Sequence, residues 1–244
     1  MDETVLELGR GQGRDLLPPR LSWSVPRSMS QGSATGGVLQ VLSPGDEIHY
    51  RVNDRDEIVF VNQAWDRFAL ANSGESVTMA QVLGRPLWGF ITDPTTRALY
   101  RDILARVRSG RSVRFVLRCD SPECRRLLEM EVSRGPDQVT DFRVHTLSQE
   151  AREPQPLLDS DRPHSEELLR MCGWCRRVDA GGRWAEVEEA VSLLGLFERP
   201  LLPGVTHGMC DDCYSRMVAT MSEGDQSAEP GAAESILKQA GLKR

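Results

Sequence analysis

The chain has 244 residues, 39% of them hydrophobic, and a net charge of -6 at pH 7. That is enough for one full-sized core plus a smaller unit, or for one domain with tails, while a mean hydropathy of -0.39 and short apolar runs exclude a helix-spanned bilayer protein. Of 30 basic residues only Lys238 and Lys243 are lysines, so residues 1–237 hold no P-loop, kinase nucleotide site, pyridoxal Schiff base or Ser-x-x-Lys acyl-enzyme. No Ser-His-Asp order, G-x-S-x-G elbow or H-E-x-x-H pair appears either, and the expectation is a protein that is not an enzyme. The start, MDETVLELG, is acidic and lacks the basic region of a signal peptide, which points to the cytoplasm.

Residues 1–44 are dense in Pro, Gly and Ser and read as a disordered leader. Within it, VLELGRGQG looks like a strand and glycine loop of a methyltransferase. However, Pro18 and Pro19 follow too soon for the helix that such a loop must open.

From Gly45 the pattern is ordered. IHYRV and EIVFVN flank the turn NDRD and read as a hairpin. Asn62 starts a helix carrying Trp65, Phe68, Ala69 and Asn72 at helical spacing. Asp93 and Pro94 cap and open a longer one, with Leu99, Ile103, Leu104 and Val107 on one face and Gly110 at its end. SVRFVLRC, CRRLLEMEV and VTDFRVHTL read as three closing strands. The expected class is α+β, an antiparallel sheet with helices on one side. VFVNQAWDRFALANSG, VLGRPLWGFI and FVLRCDSPECRRLLEMEV, in this order of elements, resemble the PAS sensor-domain family over residues 45–150. The resemblance implies a ligand pocket in some members, for which Trp65, Phe68, Trp88, Phe90 and Phe115 are the candidates beside a plain core role; it leaves the ligand unnamed. The nine arginines of Arg97–Arg126 read either as a solvated face or as an attractor for an acidic partner.

A four-residue loop, Asp120–Glu123, would set Cys119 opposite Cys124, Leu117 opposite Arg126, Phe115 opposite Leu128 and Val113 opposite Met130. Both thiols would then share the apolar face, about 4.5–5.5 Å apart at Cβ. A reversible redox switch, with Arg118, Arg125 and Arg126 favouring thiolate, fits this reading. Two small buried hydrophobes at a hairpin end fit it as well.

Residues 151–164, AREPQPLLDSDRPH, read as a linker, and 165–221 as a second unit. MCGWC and MCDDC place Cys172, Cys175, Cys210 and Cys213 in two C-x2-C pairs, 34 residues apart, a donor set for a structural Zn2+ with a closed shell and no catalytic opening. His207, three residues before Cys210, is an alternative ligand. RWAEVEEAVSLLGLF reads as a helix with Trp184, Val187, Val191 and Leu194 on one face, and a second helix starts near Cys213, an arrangement like a treble clef. MCGWCRRV, RWAEVEEA and THGMCDDCY resemble the C-terminal cysteine-rich module that follows PAS or receiver domains in bacterial signalling proteins. That likeness implies a context and no activity. Residues 222–244 read as a mostly disordered tail, within which ESILKQAGLKR has the pattern of a brief amphipathic helix.

The reading that follows is a non-catalytic, cytoplasmic signal-transduction protein. Its sensor unit detects a small ligand, redox state or partner, and its zinc module relays this by contact to another signalling protein, such as a kinase, receptor or regulator; a homodimer is a further expectation. The alternative is a nucleic-acid-binding transcriptional regulator using the zinc module, which the net charge of -5 over residues 151–244 opposes.

Overall fold

The computed structural model describes residues 47–223 except 73, 92, 160 and 161. The 1–44 leader, its glycine-rich stretch and the tail from 224 onward lie outside the described residues. Strands β1 (Ile48–Val52) and β2 (Ile58–Val61) form the expected hairpin; in its turn Asn53 Oδ1 accepts the N–H groups of Arg55 and Glu57, each at 2.9 Å. Helix α1 (Gln63–Leu70) is capped by Asn62, whose side chain accepts from Trp65 N–H at 3.1 Å. After the single turn α2 (Met79–Val82), Asp93 Oδ2 accepts Thr96 N–H at 2.6 Å and Pro94 opens α3 (Pro94–Arg108). All four residues expected on the α3 core face are buried, and the helix gives way at Gly110, whose φ of +93° a Cβ would strain.

Strands β3 (Val113–Arg118), β4 (Cys124–Arg134) and β5 (Thr140–Ala151) complete an antiparallel sheet in the order β2-β1-β5-β4-β3. Alternation along the strands gives it two unlike faces. Toward α3 lie Tyr50, Val52, Phe115, Met130, Val132 and Phe142, with Tyr50 and Phe142 stacked at 4.5 Å and Tyr100 of α3 stacked on Phe142 at 6.4 Å. The other face is ionic: Asp141 Oδ1 takes both His49 Nε2 and Arg51 Nε at 2.7 Å, and Arg143 meets Glu47 at 2.9 Å.

The β3–β4 register differs from the expected one by two residues. Val113 faces Val132, Phe115 faces Met130 and Leu117 faces Leu128. Cys119 N–H donates to Arg126 O at 2.9 Å, and the turn closes later, where Ser121 N–H donates to Cys124 O at 2.8 Å. A slip of two keeps every side chain on its face, so alternation in the sequence is blind to it.

The second unit contains β6 (His164–Cys172), β7 (Val178–Asp179), β8 (Trp184–Ala185), α4 (Val187–Leu193), β9 (Leu202–Gly208) and α5 (Asp211–Glu223). Its sheet order is β8-β7-β6-β9, with β6 and β9 parallel. The expected long helix is shorter. Trp184 sits in a strand, paired with Asp179 and covered by the Arg170 guanidinium at 5.0 Å, and the helix ends before Gly195, where φ is +60°. Within the 151–164 stretch, read as a linker, residues 152–158 form a packed strap. Arg152 N–H donates to Glu123 O at 3.0 Å, and Leu157 and Leu158 are buried with Met171, Val178, Val187 and Val191. Among the described residues no helix is long and apolar enough to cross a membrane.

The Asp93 cap yields a direct expectation. Asp93→Ala lowers stability by about 1 kcal/mol, measured as a shift of the urea midpoint at unchanged slope.

Candidate metal centre

Cys172 ends β6 and Cys175 lies in the tight turn toward β7. This turn is held by Cys172 N–H to Arg177 O at 2.7 Å and Arg176 N–H to Cys172 O at 3.0 Å. Cys210 and Cys213 flank the start of α5, and parallel pairing of β6 with β9 brings the two halves together, with Gly173 N–H on Gly208 O at 2.8 Å. The four sulfurs lie within 4.8 Å of one another. Cys175 Sγ and Cys210 Sγ are 3.7 Å apart, far beyond a disulfide bond, and a tetrahedron of Zn–S bonds has edges of about 3.8 Å. The donor set therefore fits a tetrahedral thiolate-bound ion, and a divalent cation would offset half the charge of four thiolates held this close. His207 is outside the cluster, with its Nε2 3.3 Å from Arg176 Nη1, so the ligand group is all cysteine.

The protein already polarises these sulfurs. Cys210 N–H points at Cys172 Sγ at 3.4 Å, and Arg216 Nη2 at Cys213 Sγ at 3.5 Å. Hydrogen bonds from Cys175, Cys210 and Cys213 carry the Cys172 thiol far below the thiol range, while Cys175 and Cys213 are pushed above it by their sulfur neighbours. Cys210 is raised by Cys172 but lowered more by Cys175 and Cys213 together, to about 7.

Trp174, inside the first C-x2-C pair, is only 6% exposed. Its ring sits edge-on to Tyr100 of α3 at 6.1 Å and tilted on Phe115 of β3 at 5.8 Å, and its carbonyl accepts Arg118 N–H at 2.7 Å. Cys172, Cys210, Cys213 and Met217 belong to the same core as the five-stranded sheet. Beside this apolar joint lies an ionic one. The wholly buried Asp120 carboxylate pairs with Arg118, meets Arg152 Nη1 at 3.4 Å and accepts Arg126 N–H at 3.2 Å. Arg118 also reaches Glu186 at 2.6 Å, and Arg125 and Arg152 reach Glu188 at 3.1 and 3.4 Å. Burial would raise the Glu186 carboxyl, but the field of Arg118 and the neighbouring arginines holds it below its ordinary value. At its Arg118–Arg126 end, then, the arginine-rich stretch is neither a solvated face nor an attractor for an outside acid. It is matched inside the chain, which also removes much of the charge a nucleic acid would need.

Cys119 and Cys124 are free and buried, and they are not cross-strand partners: Arg126 lies opposite Cys119, and Ser121 opposite Cys124. Of the three arginines expected to favour thiolate, Arg126 alone approaches them, with Nη2 3.8 Å from Cys124 Sγ. Arg118 and Arg125 turn to acids. Burial outweighs that arginine, and Cys119 is pushed up to about 11; Cys124 is raised by burial too. Both are neutral thiols at physiological pH.

The aromatic candidates pack against separate neighbours. Phe115 meets Trp174, and Trp65 lies edge-on to Tyr50 with Nε1–H on Val77 O at 2.8 Å. Phe68 lies beneath the buried Arg126 at 5.7 Å. Trp88 donates to Asp56 at 2.8 Å, and Phe90 lies under Arg85 at 5.3 Å. The residues missed in the sequence are Trp174 and Asp120. A tryptophan inside a metal-knuckle turn was the available signal, since a side chain that large is seldom left in water.

No family model matches the chain, and no curated protein matches it in sequence. Among solved structures, a sensory box sensor histidine kinase from Vibrio cholerae is similar over 44% of this chain and 86% of that chain, at 14% identity and a TM-score of 0.32; at that distance neither fold nor activity is carried across. The PAS-like description thus rests on the element order and the sheet.

Three outcomes follow. Trp174→Ala destabilises the protein by about 3–5 kcal/mol in urea unfolding, whereas Trp174→Phe stays within about 1.5 kcal/mol, because the indole N–H has no partner among the described residues. Asp120→Ala costs about 3–5 kcal/mol by the same measurement, since it strands buried arginines. At pH 8 native Cys119 resists iodoacetamide and reacts after denaturation, as mass spectrometry of alkylated peptides will report.

Proposed function

We propose that this is a non-catalytic signal-transduction protein in which a PAS-like unit senses a small ligand, redox state or partner. Its structural zinc module passes the change to another signalling protein by contact. The observation that carries this reading is Trp174, seated between Tyr100 and Phe115: the knuckle holding two of the four sulfurs is also part of the sensor core. A rearrangement of α3 or β3 therefore moves the metal module, and the closed four-sulfur shell leaves no coordination position for a reaction. Further support comes from the Asp120 network, which ties the β3–β4 hairpin to Glu186 and Glu188 of the second unit. The lysine-free body, lacking the constellations of the common enzyme classes, agrees with a contact-based output.

The test compares the full chain with Trp174→Phe and with the more disruptive Trp174→Ala. Each is purified from its native host, with metal content and bound proteins measured together by native mass spectrometry. The expected result is about one zinc per chain in the full chain and in Trp174→Phe. A signalling partner is expected with these two and reduced with Trp174→Ala. Absence of metal from the full chain, or a partner held equally by all three, overturns the proposal.

A further inference from the structure

A groove of about 400 Å³ runs between α3 and α5, lined by Pro94, Ala98, Leu99 and Asp102 on one side and by Tyr214, Val218 and Met221 on the other. Tyr214 is 49% and Val218 39% exposed, large side chains on a helix whose adjoining stripe, Cys213 and Met217, is buried in the core. Asp102, in the same wall, is exposed and has no ion pair among the described residues. An apolar trough with one unpaired acid calls for a short amphipathic segment carrying a base.

The chain itself supplies one. Beyond α5, Ala233, Ile236, Leu237 and Ala240 fall at i, i+3, i+4 and i+7, one face of a helical turn pattern, with Lys243 and Arg244 on or beside that face and Lys238 opposite it. Lys243 and Arg244 thus have the phase to meet Asp102 when the apolar face enters the groove. The intervening 224–232 is acidic and contains Gly and Pro, the composition of a tether. Nine residues span up to about 30 Å, while Val218 lies about 8 Å back along α5 from its last residue, at 1.5 Å per residue. The reach is ample, and a tether this short presents the segment to the groove at an effective concentration of about millimolar.

We propose that residues 233–244 dock in cis into the α3–α5 groove, with Ile236 and Leu237 on Tyr214, Val218 and Met221 and a terminal base on Asp102. The segment then covers the surface where the sensor helix and the metal-module helix adjoin, and an outside protein engages that surface only by displacing it.

Hydrogen exchange of the metal-loaded full chain tests this against the chain ending at Gly231 and against Ile236→Asp/Leu237→Asp, a variant that leaves the described fold untouched. The expected result is about threefold slower exchange of amides in 94–102 and 214–222 in the full chain than in either altered chain, the slowing given by two-thirds occupancy, with β4 amides equal in all three. Added peptide 232–244 restores the slowing to the shortened chain, and Asp102→Asn weakens it in the full chain. Equal exchange in all three chains overturns the proposal. Slowing that grows with protein concentration also overturns it, in favour of a second copy as the source of the segment.

Discussion

Everything in the second unit hangs on the seating of Trp174. Its sheet and the short helix α4 bury nine of the described residues in a core of their own, from Leu157 to Leu196, and few are large. Such a unit is at the margin of independent stability. Two things compensate. The sulfur cluster joins the end of β6 to the start of α5, and the tryptophan between the first two sulfurs enters a neighbouring core already built around Tyr50, Tyr100 and Phe142. The cluster fixes the turn, the turn aims the ring, and the ring makes two sheets one body.

The predominance of arginine takes on a structural meaning at the same joint. Arg118 joins Asp120 to Glu186, and Arg152 joins Asp120 to Glu188. Each guanidinium bridges two carboxylates on different elements, which a planar fork with five N–H groups does and a compact ammonium does poorly. Burying Asp120 is tolerable only because several donors converge on it. A composition that first excluded lysine-dependent enzymes thus also describes how the two units are fastened.

Much of this was legible in the sequence, and the failures have physical reasons. The caps at Asn62 and Asp93, the α3 face and the succession of five strands follow from local chemistry and period, so they read directly, whereas the strand order in the sheet was not read. The four sulfurs were readable because metal-ligand spacing is a local code for a global closure. The β3–β4 register was not, since a two-residue slip leaves alternation unchanged, and the error carried the Cys119–Cys124 pairing with it. Trp184 followed the helical period but was claimed by the β7 pairing, a case of tertiary context overriding periodicity. The strap 152–158 reads as linker by composition because its two leucines find their partners only after the second sheet exists.

The parallel pairing of β6 and β9 bears on how the protein acquires its fold. Parallel neighbours need a crossover, here residues 173–201 with β7, β8 and α4, so Met171 must find His207 across a long stretch of chain. Closing such a loop costs entropy before any ladder bond forms, whereas Cys172 and Cys175 are neighbours from the moment of synthesis. Assembly is thus ordered by chain topology: the first sulfur pair is local, the second is delivered by the last strand, and the joint with the five-stranded sheet is completed only when the crossover has closed.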